Sequence, residues 1–431
     1  KRFVAVDISV DELVQKIGAQ LGAVETVEHT GTKYDGVIVA RVVSCEKHPN
    51  ADKLSVCWVD DNGVTENVDR NTEGYVQVVC GAPNVREGLL VAWLPPGSTV
   101  PTTYDKEPFV LGARELRGVV SNGMLASPHE LGINDDHSGI LEIEEDVAPG
   151  AAFKALYGLD DVVIEIENKM FTHRPDCFGV LGVAREIAGI QGQQFVSPDW
   201  YMKPPKFDDA GELVVEVDNQ LPELVPRFMA VTMQNVTIAP SPIWLQALLA
   251  RVGIKPINNV VDVTNYLSYV TAQPLHAYDY DKVKERSDGN AKLVVRKPSD
   301  GEQVALLNGK TITPRAEAIM IATDKELVGI GGVMGGTTTE VDDDTKNIII
   351  EVANFDMYSI RRTSMEHGLF TDAVTRFNKG QSPLQNDRVI AEAMSLMGEL
   401  AGAKQSSRVV DDKHLPETYH ASEATIHGSL D

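Results

Sequence analysis

The chain has 431 residues, 43% of them hydrophobic and 24% charged, with a formal net charge of −24 at pH 7. That composition over that length implies several hydrophobic cores and argues against disorder. No apolar run reaches the roughly 18 residues of a membrane span, and a whole-surface negative charge repels polyanions, so a nucleic-acid partner must meet a local neutral or basic patch or a second subunit.

The N-terminus has neither an apolar signal core nor an Arg/Ser-rich presequence, and Cys45, Cys57, Cys80 and Cys177 form no CxxC pair. The expectation is a reducing, cytoplasmic setting with no structural zinc, no disulfide framework and no membrane partner.

Ser9 and Glu12 form a capping-box pair for a first helix, in which Leu13, Ile17 and Leu21 recur at helical spacing and Gly22 closes the end. From Gly36 to about Ile133 the pattern changes to short apolar runs (Val37–Val43, Leu54–Val59, Val76–Val79, Leu89–Leu94) broken by Asn62-Gly63 and Pro95-Pro96-Gly97. Strands at that spacing predict a small barrel or sandwich. Between Gly139 and Gly192 the mixture returns to α/β, with a strand at Val162–Ile166 and a helix at Val180–Ile190. If this segment packs with the first helix, the barrel is an insertion in a split domain. Pro198 to Pro205 reads as a linker.

The last unit opens with strands near Leu213–Val217 and Phe228–Val236. A helix follows, with Ser241 as N-cap, Pro242 in its first turn and Gly253 at its end. Leu293–Arg296 and Val304–Leu307 are expected strands, Asn308-Gly309 is a two-residue hairpin signal before Thr311-Ile312, and a final helix carries Val389, Ile390, Ala393, Leu396, Met397 and Leu400 on one face. The predicted architecture is α+β multidomain: a split α/β N-terminal domain over 1–35 and 140–200, a β-barrel over 36–139, an α+β domain over 210–405, and residues 406–431 beginning a following region that stops in mid-protein.

The barrel region holds three polar and Gly-rich clusters: His48-Pro49-Asn50-Ala51-Asp52-Lys53-Leu54, Cys80-Gly81-Ala82-Pro83-Asn84 and Arg117–Leu125. Singly, each is a turn-forming loop. Together they resemble the tRNA-binding barrel module of the oligonucleotide-binding (OB) fold, whose sheet face and loops hold nucleotides by phosphate contact and stacking. That resemblance makes His48, Asn50, Lys53, Asn84, Arg117 and Ser121 candidate tRNA-binding residues. Eight Lys/Arg stand against twelve Asp/Glu between residues 39 and 130, which implies low affinity for this module alone. In Thr172-His173-Arg174-Pro175-Asp176-Cys177, Asp176 or Thr172 is expected as a helix cap and Arg174 as an ion-pair partner.

The densest constellation lies in the last unit. Asn258-Asn259-Val260-Val261-Asp262-Val263-Thr264-Asn265-Tyr266 precedes Gln273-Pro274-Leu275-His276-Ala277-Tyr278-Asp279; Gly329–Gly336, Glu351-Val352-Ala353-Asn354-Phe355-Asp356 and Thr371-Asp372-Ala373 with Arg376-Phe377 complete it. The glycine run lacks the spacing and Lys-Ser/Thr ending of a phosphate loop, and no serine sits in a GxSxG elbow. Taken alone, His276 reads as a structural histidine and Glu351, ending the apolar Ile348–Ile350 strand, as an ordinary surface carboxylate.

In this order the motifs resemble the N-terminal half of the bacterial phenylalanyl-tRNA synthetase β-subunit family, over nearly the whole chain. The resemblance implies a class II phenylalanine–tRNA ligase component in which a separate α subunit makes phenylalanyl-tRNA, within an αβ heterotetramer that uses ATP and magnesium. The β subunit binds tRNA(Phe) and hydrolyses tyrosyl-tRNA carrying the phenylalanine anticodon. This fragment would carry only that editing esterase activity, with no cofactor or metal of its own. The family's editing pocket falls on Thr264, Asn265, His276, Gly332 and Glu351, with Thr264, Asn265 and His276 positioning ribose or water. Glu351 and a group near Gly332 would recognise the tyrosine or phenylalanine moiety, and amides of the turn containing Gly331, Gly335 and Gly336 would face the oxyanion. The family commonly has Ala where this chain has Gly331, and Phe where it has Tyr278. The competing expectations are a non-catalytic tRNA-binding or assembly scaffold and a stand-alone deacylase.

Overall fold

The computed structural model describes residues 3–209 and 211–415. The first helix, α1 (Val10–Gln20), starts where Ser9 Oγ accepts the Glu12 amide, while the Glu12 carboxylate pairs with Lys16 instead of closing the capping box. Strand β1 (Val24–His29) does not pair with the next strand in the chain. Its antiparallel partner is β10 (Val162–Ile166), with His29 opposite Val162. Helix α2 (Val180–Ile190) packs its Ile187 against Leu13 and Ile17 of α1. The expected boundaries of β10 and α2 match the observed ones.

Between these paired strands lies a six-stranded sheet. It comprises β2 (Ile38–Lys47), β3 (Ser55–Asp60), β4 (Val76–Cys80), β5 (Leu90–Leu94), β8 (Met124–Leu125) and β9 (Glu142–Ile143). Its order is β4-β3-β2-β5-β8, with β9 also on β5. The register slips between Val42 and Ser44 on β2, where the strand changes its main partner from β5 to β3. Strands β6 (Ala113–Leu116) and β7 (Val119–Asn122) form a separate hairpin whose turn residues Arg117 and Gly118 both have positive φ, 49° and 88°. A fully closed barrel is not seen: among the described residues no ladder joins β4 to β7. Side chains bridge the gap instead, as Ser121 Oγ accepts from Val79 N–H and Asn122 Nδ2 donates to the Gln77 carbonyl.

Past the loop containing α3 (Asp199–Met202), which the Tyr201 hydroxyl ties to Gln385, comes a three-layer unit. Its central sheet is formed by β12 (Arg227–Gln234), β13 (His276–Asp279) and β20 (Ile348–Asn354), in the order β13-β20-β12. A second sheet runs β11 (Val215–Asn219), β14 (Ala291–Arg296), β17 (Met320–Ala322), β18 (Leu327–Ile330), β19 (Met334–Gly335). Because side chains alternate across a strand, β20 sends Ile349 and Ala353 into the core between the sheets and Ile350 and Val352 into a second core. Helices α4 (Ile243–Arg251), α5 (Asn259–Thr271) and α9 (Asn386–Ala401) cover that second core. Both faces being covered, β12 is buried through nearly its whole length, as its apolar run Phe228–Met233, interrupted by Thr232, requires.

Several local expectations change. Ser241 does not cap α4; Pro242 holds that position and the Ser241 hydroxyl donates to Asp262. Asp176 does not cap α2; Gly179 does, and Asp176 binds Arg174 and Arg185. Strands β15 (Val304–Ala305) and β16 (Thr311–Ile312) make the expected hairpin, but the Leu306 amide bonds to the Lys310 carbonyl, so three residues form the turn. The chain beyond 405 stays in the central sheet: β21 (Lys404–Gln405) and β22 (Val410–Lys413) both pair with β12. The remainder of the expected 406–431 region, from 416 on, lies outside the described residues. Among the described residues no helix is long and apolar enough to cross a membrane.

Candidate functional site

A cavity of about 430 Å³ opens where the edge strands of the two sheets meet. Strand β13 supplies one wall. Its ladder to β20 puts His276 opposite Glu351, and period-two alternation turns His276, Tyr278 and Glu351 to the same face. The loop before β13 is held by Gln273, whose buried amide donates to the Pro274 and Ala353 carbonyls.

The opposite wall is the turn joining β18 to β19. Gly332 has a φ of +68°, and a Cβ there would stand 2.7 Å from Ile360 Cδ1 and 2.8 Å from Phe355 Cδ2. Gly335 is set by a different contact: a Cβ on it would lie 2.5 Å from His276 Cε1. Only glycine lets that imidazole rest against the second sheet. A third wall comes from the start of α8 (Asp372–Phe377), where Thr371 accepts from the Val374 amide and donates to the Val333 carbonyl.

Glu351 is 6% exposed. Its Oε2 accepts the Tyr278 hydroxyl at 2.5 Å, and the Tyr278 ring meets the His276 ring edge-on with centroids 4.4 Å apart. Burial pushes the Glu351 carboxyl up to about 7, against the opposing pull of the Tyr278 hydrogen bond. Burial pulls His276 down to about 4, so its imidazole is neutral at pH 7 and serves as a hydrogen-bonding group.

The structure brings Asn265, His276, Gly331, Gly332, Gly335 and Glu351 onto this one cavity. Two expected residues are not on its wall. The Thr264 hydroxyl is turned back into its own helix, donating to the Val261 carbonyl. Gly336 faces the Val328 and Ala305 carbonyls, and its amide donates to Val328. Turn amides at Gly331 and Gly336 are therefore already engaged, the former by Ile319. The Gly332 amide has no backbone acceptor among the described residues.

The rest of the Asn258–Asp262 motif is a clip. Asn258 caps α5, Asn259 ties it to Thr237 and Leu400, and Asp262 accepts from Ser241 and the Ile257 amide. Thr371, Ala373 and Tyr278 line the cavity although sequence reasoning did not select them as site residues. Strand alternation from His276 would have found Tyr278.

The barrel-region candidates separate into two kinds. His48 is buried, its Nδ1 accepting from the Asn50 amide and its Nε2 contacting the Leu116 carbonyl. Asn50 donates to the Arg117 carbonyl, Asn84 makes paired bonds to Ile140, and Ser121 bridges Val79 to Gly123. These four are engaged in holding loops together. Asn50, Lys53 and Arg117 are the exposed members of the six, and of these three Asn50 has its side chain tied to the hairpin turn. A second cavity of about 430 Å³ lies beside the β6–β7 hairpin, lined by Phe109, Arg114, Ser121 and His137 among others. Among the described residues no cluster of three or more His, Cys, Asp or Glu has a metal-holding arrangement.

The B3/4 domain family matches residues 224–402, and a tRNA binding domain family matches residues 37–152. The phenylalanine–tRNA ligase β subunit of Nitrobacter winogradskyi is 37% identical over 414 residues, covering 95% of this chain and 49% of that protein. That of Desulfotalea psychrophila is 39% identical over 373 residues (86% and 42%), and that of Moorella thermoacetica 37% over 422 residues (95% and 49%). The chain thus spans about half the length of the curated relatives it matches.

Proposed function

We propose, on the premise that this chain belongs by sequence to the N-terminal portion of the phenylalanine–tRNA ligase β-subunit family, that it binds tRNA and hydrolyses tyrosine wrongly attached to tRNA(Phe). The observation that carries the editing reading is a cavity lined at once by a buried carboxyl, Glu351, and a neutral imidazole, His276.

Tyrosine and phenylalanine differ by one hydroxyl. Glu351 can bond the phenol, whereas a bare phenyl leaves a buried polar group without a partner, a penalty worth about 10⁴–10⁵ in selectivity where fully realised. The ester is already activated, so a positioned water and one oxyanion donor suffice. In this reading the Gly332 amide receives the developing oxyanion, while neutral His276 and Asn265 orient the terminal ribose or the water. His276 is a poor proton acceptor at pH 7 because its pKa lies near 4.

The finer organisation is part of the same proposal. Residues 1–35 and 140–200 form one split domain, 36–139 an OB-type tRNA-binding insert and 210–405 the editing domain, extended by β22. Lys53 and Arg117 are the insert's contacts to phosphate. The chain works in the cytoplasm beside an α subunit within an αβ heterotetramer, and that assembly supplies the ATP and magnesium chemistry of aminoacylation.

The decisive experiment uses the full-length αβ complex with tyrosyl-tRNA(Phe) and phenylalanyl-tRNA(Phe) as substrates. Wild type should deacylate the tyrosyl ester preferentially, and Glu351→Ala should lose that preference. Equal inertness toward both esters in a folded complex would favour the scaffold alternative.

A further inference from the structure

We propose that Tyr278 is a specificity-determining residue: by donating to Glu351 it stands in for the substrate's phenol and weakens the rejection of phenylalanine. The inference rests on the editing reading of this cavity and deepens it.

The geometry is direct. Tyr278 and Glu351 lie on adjacent strands, diagonal across the β13–β20 ladder and on the same face. That offset is within reach of a tyrosine side chain. Tyr278 is 2% exposed, and its hydroxyl sits 2.5 Å from Glu351 Oε2. Tyr278 is the side-chain donor that Glu351 has among the described residues.

A pocket rejects the analogue lacking a hydroxyl because its own buried polar groups are then left unpaired. Here that condition is only half met, because Glu351 Oε2 is already paired with Tyr278 and Oε1 alone is left to register a missing hydroxyl. When a phenyl ring enters, Glu351 keeps its bond to Tyr278, so the penalty for admitting phenylalanine shrinks. When a phenol enters, it must share the carboxyl with Tyr278 or displace it, so the gain for tyrosine shrinks as well. Both effects compress the ratio between the two esters.

Tyr278→Phe removes one oxygen, keeps the ring that packs against His276 and leaves the backbone ladder intact. The Tyr/Phe ratio of kcat/KM for deacylation by the full-length complex is expected to rise about tenfold or more, chiefly through a higher KM for the phenylalanyl ester. Tyr278→Met, which also lacks a donor, serves if the phenylalanine variant fails to fold by thermal melting. An unchanged or lower ratio in a folded variant overturns the proposal. If wild type and variant hydrolyse neither ester, binding of L-tyrosine and L-phenylalanine to both proteins decides. A variant-dependent preference supports the role of Tyr278 while the editing reading falls, and an identical preference overturns the role too.

Discussion

Glu351→Gln tests the electrostatics of the cavity without reference to tRNA. On folding, the carboxyl moves from an ordinary value of 4.5 to about 7, driven by burial. Each tenfold change is about 1.4 kcal/mol, so the folded chain holds this proton more tightly by about 3 kcal/mol. With the folded value raised, the stabilisation is fully present below pH 4.5 and is lost as pH rises through 7. The glutamine variant keeps the shape and the acceptor for Tyr278 but binds no proton there. Unfolding in urea at half-unit steps from pH 5 to 8, wild type against variant, subtracts the other titrating groups. The wild type should lose about 2–3 kcal/mol relative to the variant across that range. A difference that stays flat refutes a buried carboxyl that binds a proton on folding.

Rates of tyrosyl-ester hydrolysis against pH should show no limb near 6.5 from His276, since burial holds that ring near 4; a limb near 7 should appear and vanish in Glu351→Gln. Gly335→Ala drives a methyl to 2.5 Å from His276 Cε1, so deacylation should fall at least about tenfold while the melting temperature moves by only a few degrees. In the barrel region, Asn84→Ala removes the paired bonds to Ile140 and should lower stability by about 1–3 kcal/mol with tRNA affinity unchanged at fixed salt. Combined Lys53→Ala and Arg117→Ala should do the reverse, leaving stability alone and reducing the salt dependence of tRNA binding.

Much of the local structure was legible in the chain. The bounds of β10 and α2, and the cap at Ser9, follow from apolar spacing and from side chains that bond to backbone one turn away. What was not legible depends on partners distant in sequence. Ser241 has the form of a helix cap, yet Asp262 lies closer to its hydroxyl than the amides of α4. Thr264 and Asn265 are neighbours in one motif, but successive helical residues point about 100° apart, and Asn265 is the one on the cavity wall. The polar clusters around His48, Asn84 and Ser121 illustrate the same limit. A sequence shows which residues can hydrogen-bond and is silent on whether their partners are inside the protein or out. Tyr278 was within reach of the two-residue alternation that starts at His276; only its bond to Glu351 required the fold.

The pairing of His29 with Val162 has an architectural consequence. Residues 30–161 leave and re-enter their host within the width of one ladder rung, about 5 Å. A folded module with its ends so close adds little tether strain to the framework around it, and a short turn could replace it. Excising the six-stranded segment should therefore leave the β1–β10 ladder and the α1–α2 framework closed on themselves, while uncovering Ala247 of α4, which shares a core with Leu131 and Phe153 of that segment.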